Sequence, residues 1–455
     1  MRRAVLAVAL ASACSAEGPA TPPPATPSDG GVEAAPDAAA PDAAAGPAVT
    51  YYRDTKPIFD AKCVSCHGAG AIGPFPLGTY AEVAPVRVPI GLAVEERRMP
   101  PWHADRPCES FSNDRSLTDA QRDTILEWVR VGGPEGDPRD EPAALPPSDP
   151  GLTRIDQRLP VEGEYTPHGA DDYRCFVLEW PEVADKYVTG FNLLPSNAAI
   201  VHHANIYAIG PAQAQAFRAK QSADGVPGYA CYGGVFATGT TLLGSWAPGS
   251  HGLELPGGAG ILVEPGSVIV AEMHFNTDSA RGSDRSTLAF KVDSEVRRRA
   301  LILPFWNFFD WSMGGGMLIP RDATDVMHQY EFDPAPARNI LAPWIGEDQV
   351  QILGVGMHMH QLGKSGRLEI RRAGEGAQCM LDIPRWDFSW QSSYFFEEPV
   401  PFTMGADRLF LECHFDNSDA NQPIVNGAKA ASRDVRWGED SRDEMCIGYA
   451  LIVEQ

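Results

Sequence analysis

The feature that most restricts the fold is the texture of the chain from about residue 152 to the C-terminus. Short runs of β-branched and aromatic residues, such as Gly266–Phe275 and Val350–Met359, alternate there with turns rich in glycine, proline and asparagine. Strands at this spacing are typical of antiparallel sandwiches and jelly rolls, and roughly 300 residues exceed one sandwich. We therefore predict a mainly β chain with two antiparallel, jelly-roll-like β-sandwiches, over residues 152–296 and 297–455.

The N-terminus has the pattern of an export signal. Arg2 and Arg3 precede a short apolar run that is too short to span a bilayer, and small residues lead to Cys14. The pattern resembles a bacterial lipoprotein signal over residues 1–14, in which Cys14 is lipidated. The alternative is ordinary signal cleavage that discards Cys14.

Residues 15–48 are almost entirely alanine, proline, aspartate, glycine, serine, threonine and glutamate. Such a segment cannot bury enough apolar surface to offset the entropy of ordering it, so we predict a disordered, Ala/Pro-rich tether. The protein is then expected to be exported, as a periplasmic or outer-membrane-anchored lipoprotein of a bacterium. Its contact with the membrane would be the N-terminal lipid anchor alone.

The overall charge excludes one class of partner. The formal net charge is −23. Nucleic acids and anionic membrane surfaces attract basic patches, so this balance argues against both as binding partners.

A compact motif begins at Cys63, in the order Cys63-Val64-Ser65-Cys66-His67. The C-x-x-C-H spacing serves covalent haem attachment, because two thioethers fix the macrocycle and the adjacent histidine is an axial ligand. The alternatives are a disulfide or half of a zinc site, and a zinc site would need two more ligands, for which His103 and Cys108 are the nearby candidates. We predict one covalent haem c on Cys63, Cys66 and His67.

The second axial ligand should follow later in the same domain. Met99 lies at a spacing usual for small cytochromes c, and His103 is the alternative. A capping box beginning at Thr118 predicts a helix that ends at the glycine pair after residue 131. These features predict a small α-helical, cytochrome c-like haem domain over residues 49–145.

The histidines of the β-rich part form a pattern of metal ligands. Five of the 11 histidines fall in three strand-like runs, and a methionine follows near the C-terminus. These residues are His202, His203, His274, His358, His360 and Met445. Alternate residues share one face of a strand, so His358 and His360 can bind one ion, whereas adjacent histidines can do so only at a strand end or a bulge. Three imidazoles suit copper or zinc, and two imidazoles with a thioether favour copper.

This order of ligands resembles the copper type II, ascorbate-dependent monooxygenases, the family of peptidylglycine α-hydroxylating and dopamine β-monooxygenases. The resemblance covers most of residues 160–455. Six segments resemble motifs of that family: 245–249, 255–260, 272–275, 358–364, 413–417 and 444–446.

The resemblance implies a role for each ligand. His202, His203 and His274 would bind an electron-storing copper, and His358, His360 and Met445 an oxygen-activating copper. Tyr449 matches a tyrosine of the family's substrate pocket, and Cys413 would pair with Cys446. The implied activity is a copper-dependent monooxygenase reaction, in which O2 hydroxylates an aliphatic C–H bond.

Two departures from the family pattern concern the substrate. Gly356 stands where peptidylglycine enzymes have an arginine that holds the substrate carboxylate, and Ile447 replaces an asparagine after the methionine ligand. A peptide C-terminus is therefore not implied, and the substrate stays open between a small molecule and a peptide.

The fused haem domain suggests how electrons arrive. A tethered donor has an effective concentration of about millimolar, so we expect the haem to relay electrons from an external donor, either an ascorbate-like reductant or a periplasmic cytochrome. The alternative function is a non-catalytic periplasmic protein that transfers electrons or binds copper. Such a protein would not need two distinct sites with an open coordination position.

Four further cysteines, Cys108, Cys175, Cys231 and Cys379, can pair in three ways. Cys175 and Cys231 both lie in the first predicted sandwich, which favours that pair without excluding the others. An exported protein permits such disulfides.

Overall fold

The computed structural model describes residues 49–455 except 70–72, 105–107, 147–150, 170, 232–234, 236–238, 248–249, 251, 278–279, 373, 375, 389, 426–427, 439 and 441. The predicted signal at 1–14 and the tether at 15–48 lie outside the described residues. The described part belongs to one compact unit, Pro47–Gln455.

Most of the described α-helices lie in the N-terminal part, and two short ones lie among the strands. The α-helices are α1 (Lys56–Lys62), α2 (Tyr80–Val83), α3 (Arg87–Glu95), α4 (Asp119–Arg130), α5 (Pro211–Arg218) and α6 (Arg338–Leu341). Two short π-helical segments lie at Tyr51–Thr55 and Phe308–Met313. Within the described residues, none of the helices has the length and apolar character needed to cross a membrane.

Helix α4 organises the core of the N-terminal part. Its N-cap Thr118 accepts from the backbone N–H of Gln121 and forms the predicted capping box, and glycines in left-handed conformations follow its end. Trp128 on α4 packs against Tyr51 and Phe59, and all three side chains are fully buried. The predicted C-terminal helix of this part is confirmed, whereas haem binding by it stays a prediction.

The rest of the chain is mainly β, as predicted. The first eleven strands are β1 (Gln157–Pro160), β2 (Asp171–Glu179), β3 (Lys186–Leu194), β4 (Val201–Ile209), β5 (Tyr229–Ala230), β6 (Thr240–Trp246), β7 (Leu253–Glu254), β8 (Ala259–Val263), β9 (Val268–Asn276), β10 (Thr287–Asp293) and β11 (Arg298–Phe305). The others are β12 (Leu318–Ile319), β13 (Val326–Phe332), β14 (Gln349–His358), β15 (Gly363–Arg372), β16 (Gly376–Ile383), β17 (Tyr394–Thr403), β18 (Arg408–Phe415), β19 (Ile424–Val425), β20 (Ala428–Lys429), β21 (Val435–Arg436) and β22 (Ile447–Glu454).

Three sheets carry the architecture. A nine-stranded sheet runs in the order β1-β10-β3-β8-β11-β22-β14-β17, with β7 also paired to β3. A five-stranded sheet has the order β5-β2-β9-β4-β6, and a four-stranded sheet has the order β13-β18-β15-β16. Among the described strands of these sheets the pairings are antiparallel, except for β8 with β11.

The long sheet contributes to two cores. Apolar residues from β3, β8 and β10 pack against β2, β4 and β9 of the five-stranded sheet. At the other end, residues from β11, β14, β17 and β22 pack against β15, β16 and β18 of the four-stranded sheet. Two face-to-face sheet pairs therefore share one continuous sheet, joined where Arg298 and Arg299 pair with Ala259 and Gly260. The boundary near residue 297 stays a prediction.

The described cysteines form three disulfides. They are Cys108–Cys379, Cys175–Cys231 and Cys413–Cys446. The pairing implied by the family resemblance is thus confirmed, and so is the pair favoured by position in the first sandwich. The remaining disulfide links the N-terminal part to β16.

The pairing of strand β14 with its neighbour β17 requires a glycine at the point where the register shifts. The register against β17 and β22 shifts between Ile352 and Gly354. A Cβ at Gly354 would lie 2.6 Å from the ring of Phe395 and 2.7 Å from the Tyr394 carbonyl oxygen, closer than real contacts allow.

We predict that Gly354→Ala lowers the free energy of unfolding by about 1–3 kcal/mol, because the new methyl group displaces strand β17. Gly346→Ala is the matched control, since a Cβ at that exposed glycine meets nothing within 4 Å. Denaturant unfolding of both variants measures the effect. Equal stability of the two variants would contradict this account of β14.

Candidate metal centre

A bulge brings the adjacent histidines of the first cluster together. His203 on β4 pairs with His274 on β9, and the register between these strands shifts between Val201 and His203. The shift removes the strict alternation of side chains, so His202 also reaches the cluster. This is the irregularity that two adjacent histidine ligands require.

The three side chains of this first cluster converge through their Nδ1 atoms. The Nδ1 atoms of His202 and His203 lie 3.1 Å apart, and those of His274 and His203 lie 3.3 Å apart. Tetrahedral metal–imidazole bonds of about 2.0–2.1 Å hold ligand nitrogens about 3.3 Å apart. The spacing of the donors therefore fits a single metal ion.

The ring of His274 is held on its far side. Its Nε2 donates to Oδ1 of Asp171 at 2.8 Å, which leaves Nδ1 for the cluster. Tyr173 stacks on the same ring with centroids 4.3 Å apart and planes inclined by 3°. Both contacts fix the orientation of His274.

The second cluster presents the opposite nitrogen. His358, the last residue of β14, donates from Nδ1 to Oε1 of Gln391 at 2.6 Å. His360 donates from Nδ1 to the carbonyl oxygen of Asp443 at 3.1 Å. Both rings thus keep Nε2 for a ligand, and Met445 lines the same cleft as the two histidines.

Glu444 fixes the backbone of the second cluster. Its carboxylate accepts from the backbone N–H of His360 at 2.8 Å and of Leu362 at 2.6 Å, and it is fully buried. Burial raises the pKa of Glu444 to about 8, against the three backbone N–H groups that favour its ionised form. Glu444 therefore ties the turn after β14 to the segment that carries Met445.

His203 of the first cluster lines the same cleft as His358, His360 and Met445, and the volume of this cleft is about 1120 Å³. The ring centroids of His203 and His358 are 6.3 Å apart. Phe388 stacks on His202 with centroids 4.9 Å apart and lies 5.9 Å from His360. The histidines of both clusters therefore form one continuous group. Tyr449 also lines the cleft, next to Gly356 on the neighbouring strand.

Burial keeps four of these imidazoles neutral near pH 7. It lowers the pKa of His202 to about 4 and holds the pKa values of His203 and His360 well below the usual range. Burial also lowers the pKa of His358, although the bond to Gln391 acts in the opposite direction. Neutral imidazoles are the form that binds metals.

The donor sets fit copper. The first cluster offers three imidazole nitrogens. The second offers two imidazoles beside the Met445 side chain, and a soft thioether favours Cu(I).

In the C-x-x-C-H motif the His67 ring donates from Nδ1 to the Phe75 carbonyl oxygen at 2.9 Å, which leaves Nε2 for a ligand. A Cβ at Gly73 would lie 2.6 Å from that ring, so only glycine permits this arrangement. Cys63 and Cys66 are thiols rather than a disulfide, and burial raises the pKa of Cys63 to about 12.

The two candidates for the second axial ligand differ in their surroundings. His103 has its pKa lowered by burial and has Asp387, Arg385 and Arg115 as charged neighbours. It therefore lies where the N-terminal part meets the second sandwich. Met99 is half-buried and stays the predicted ligand.

Several residues of the site were not found by sequence reasoning. Asp171, Gln391 and Phe388 touch the histidines from positions far along the chain, and no local pattern marks them. Glu444 adjoins Met445 in the sequence, but only the fold shows that its carboxyl group is buried and bonded to the backbone of the second cluster. The His414 ring lies outside both clusters and contacts Asp325 at 3.0 Å.

We predict that the metal-free protein loses stability as the pH falls from about 6.5 toward 4. The folded-state pKa of the buried histidines lies below the unfolded value, so the unfolded chain binds more protons in this window and acid favours it.

Urea unfolding at pH 7 and pH 5 measures this loss. His360→Gln should reduce the pH dependence, and His168→Ala, at an exposed histidine, should leave it unchanged. Equal stability at both pH values would contradict burial of neutral imidazoles.

Asp171→Ala should weaken copper binding at the first cluster by about 10–100-fold, because the His274 ring loses the partner that orients it. Binding at the second cluster should not change. Glu179→Ala is the matched control, since this carboxylate lies on the same strand but pairs with Arg218. Competition titration with a copper chelator gives both affinities, and a uniform change at both clusters would oppose the assignment.

Comparison with known proteins supports a copper site. The family model of the copper type II ascorbate-dependent monooxygenase C-terminal domain matches residues 317–452. A search of curated protein sequences finds no match.

Likeness to solved structures is weak. The major capsid protein P2 from bacteriophage PM2 is 9% identical with a TM-score of 0.27, over 66% of this chain and 97% of that one. A Paenibacillus xanthan lyase is 11% identical with a TM-score of 0.17, over 71% of this chain and 28% of that one. Residues 317–452, which contain the second cluster, are thus similar to the C-terminal domain of the copper type II ascorbate-dependent monooxygenases.

Proposed function

We propose that this protein is a copper-dependent monooxygenase that hydroxylates an aliphatic C–H bond, with a c-type haem in its N-terminal part as electron relay. The observation that carries the proposal is the meeting of two different donor clusters in one cleft. One cluster presents Nδ1 atoms and the other presents Nε2 atoms beside a methionine. The match to the family domain supports the same assignment for the second cluster.

The ligand sets assign the two sites. His202, His203 and His274 would hold one copper ion, and His358, His360 and Met445 would hold the other. When bound, copper supplies one-electron redox chemistry and a position for O2. Two imidazoles and a weak thioether leave that position open at the second site.

The chain itself prepares the second site. Gln391 and the Asp443 carbonyl group hold the two imidazoles in the tautomer that exposes Nε2. Glu444 fixes the backbone between them.

The cleft walls indicate the kind of substrate. Trp306 and Trp437 stack with centroids 5.9 Å apart and line the cleft together with Ile447 and Tyr449. Gly356 offers no cation to a substrate carboxylate. We therefore propose a substrate that is bound through apolar contacts, either a small molecule or a peptide side chain.

The stoichiometry explains the fused relay. Hydroxylation converts O2, a C–H bond, two electrons and two protons into an alcohol and water. Cys63, Cys66 and His67 would hold the haem, with Met99 as the second axial ligand. One haem carries one electron, so it must be reduced twice per turnover by an external ascorbate-like reductant or a periplasmic cytochrome.

The proposed location is outside the cytoplasm, in the periplasm or on the outer membrane of a bacterium through a lipid on Cys14. Three disulfides support an oxidising compartment, where covalent haem attachment also takes place.

The first test is metal and haem stoichiometry on protein matured in an exporting host. We expect two coppers and one covalent haem per chain. His358→Ala should lose one copper, and the control His168→Ala should keep both. Copper-dependent O2 uptake that rises with a substrate, and disappears in His358→Ala, would establish the enzyme. Reversible redox cycling without O2 uptake under any substrate would favour a non-catalytic copper protein.

A further inference from the structure

A segment of the N-terminal part is joined to the edge of the second sandwich. The backbone N–H of Ser112 donates to the Phe395 carbonyl oxygen at 2.8 Å, and the N–H of Glu397 donates to the Ser110 carbonyl oxygen at 3.0 Å. Between them, Phe111 pairs with Phe396 in antiparallel fashion and its ring is buried. The segment thus extends the edge of the nine-stranded sheet beyond β17.

Side chains fasten the same contact. The disulfide Cys108–Cys379 joins the segment to β16, and Gln378 donates to Glu109 at 3.0 Å. Arg385 donates to the carbonyl oxygens of Glu96 and Arg97 at 3.1 and 3.0 Å. The N-terminal part is therefore held against the sandwich at several points.

The fastened segment also grips the loop that precedes β17. Arg115 donates from Nη2 to Oγ of Ser392 at 2.9 Å. Asn113 donates to the Ser393 carbonyl oxygen at 2.8 Å and accepts from the Phe395 N–H at 3.0 Å. We call residues 386–388 and 390–393 the bridging loop.

The other side of the bridging loop touches the histidines. Gln391, next to Ser392, accepts from His358 Nδ1 at 2.6 Å. Trp386 donates to the His360 carbonyl oxygen at 3.1 Å. The loop therefore lies between the N-terminal part and the second cluster, and through Phe388 it also stacks on His202 of the first cluster.

The chain of contacts extends back to the C-x-x-C-H motif. Lys62, which directly precedes Cys63, donates to the Asp114 carbonyl oxygen at 3.2 Å. Asp114 lies between Asn113 and Arg115, the two residues that grip the loop. Few short contacts thus separate the haem cysteine from the ring of His358.

We infer that the bridging loop positions His358 under the control of the N-terminal part and couples the haem directly to the second copper site. The inference rests on the proposed function. In each transfer the haem iron is oxidised from Fe(II) to Fe(III) while one Cu(II) is reduced to Cu(I), with no bond made or broken. Toward the clusters, the hydrogen bonds of the bridging loop go to His358 and His360, whereas its contact with the first cluster is the stacking of Phe388 on His202, which favours the second site as the acceptor.

Gln391 is a positioning residue in this arrangement. It acts through the His358 ring, whose Nδ1 it holds, and Arg115 and Asn113 act through the loop that carries it. Electron transfer needs orbital overlap and falls steeply with distance, so loosening any of these contacts should slow it without removing either metal.

The test uses the full, haem-bearing, copper-loaded protein without O2 or substrate. A photochemical pulse reduces the haem, and its reoxidation by Cu(II) is followed by haem absorbance. Gln391→Leu and the double variant Asn113→Ala with Arg115→Ala should slow reoxidation by about tenfold or more. Arg130→Ala, at an exposed arginine of the same part that pairs with Glu127, should match the parent.

A second readout separates positioning from general damage. Gln391→Leu should change the Cu(II) electron paramagnetic resonance signal that disappears in His358→Ala, and leave the signal that disappears in His202→Ala. Haem absorbance, copper content and melting temperature should stay at the parent values.

The route is tested by removing one copper at a time. Fast haem reoxidation should persist in His202→Ala and be lost in His358→Ala. The reverse result, or parent rates in Gln391→Leu and the double variant, would overturn the inference while leaving the proposed function intact. Protein that binds copper but no haem, or neither, would overturn both the relay and this inference.

Discussion

The site depends on an apolar seam in which side chains of the second sandwich enter the core of the first. Leu353, Phe395 and Leu451 are buried among residues of the first sandwich. The seam continues the sheet across β8 and β11, so neither half can rotate without exposing apolar surface. The end of β14 therefore faces the bulged end of β4, and the two histidine clusters meet in one cleft.

Within that cleft, polar contacts decide which nitrogen each imidazole presents. Asp171 holds Nε2 of His274, whereas Gln391 and the Asp443 carbonyl group hold Nδ1 of His358 and His360. Burial lowers the pKa of most of these rings and keeps them neutral, so the nitrogen that makes no hydrogen bond carries a lone pair that can bind a metal. The two clusters thus differ chemically although both are built from histidine, as the proposed division between electron storage and O2 binding requires.

The N-terminal part completes the arrangement from outside the seam. Its docked segment and the bridging loop cover the edge of the sheet next to His358. Without this cover the strand edge would be exposed and able to pair with other chains. A donor held in this way does not need to search for its acceptor. The proposed relay then becomes a matter of fixed geometry, in addition to the high local concentration that fusion provides.

The sequence by itself determined the mainly β class, the helix that begins after Thr118 and the identity of the histidines, because local periodicity, capping chemistry and motif order are written in neighbouring residues. The pairing of Cys413 with Cys446 was implied by the family resemblance, and the structure confirms it. Tertiary structure alone decided the shared sheet, the Cys108–Cys379 link and the partners Asp171 and Gln391. These contacts join residues from 33 to 271 positions apart, and only side-chain burial across the seam brings such distant residues within bonding distance.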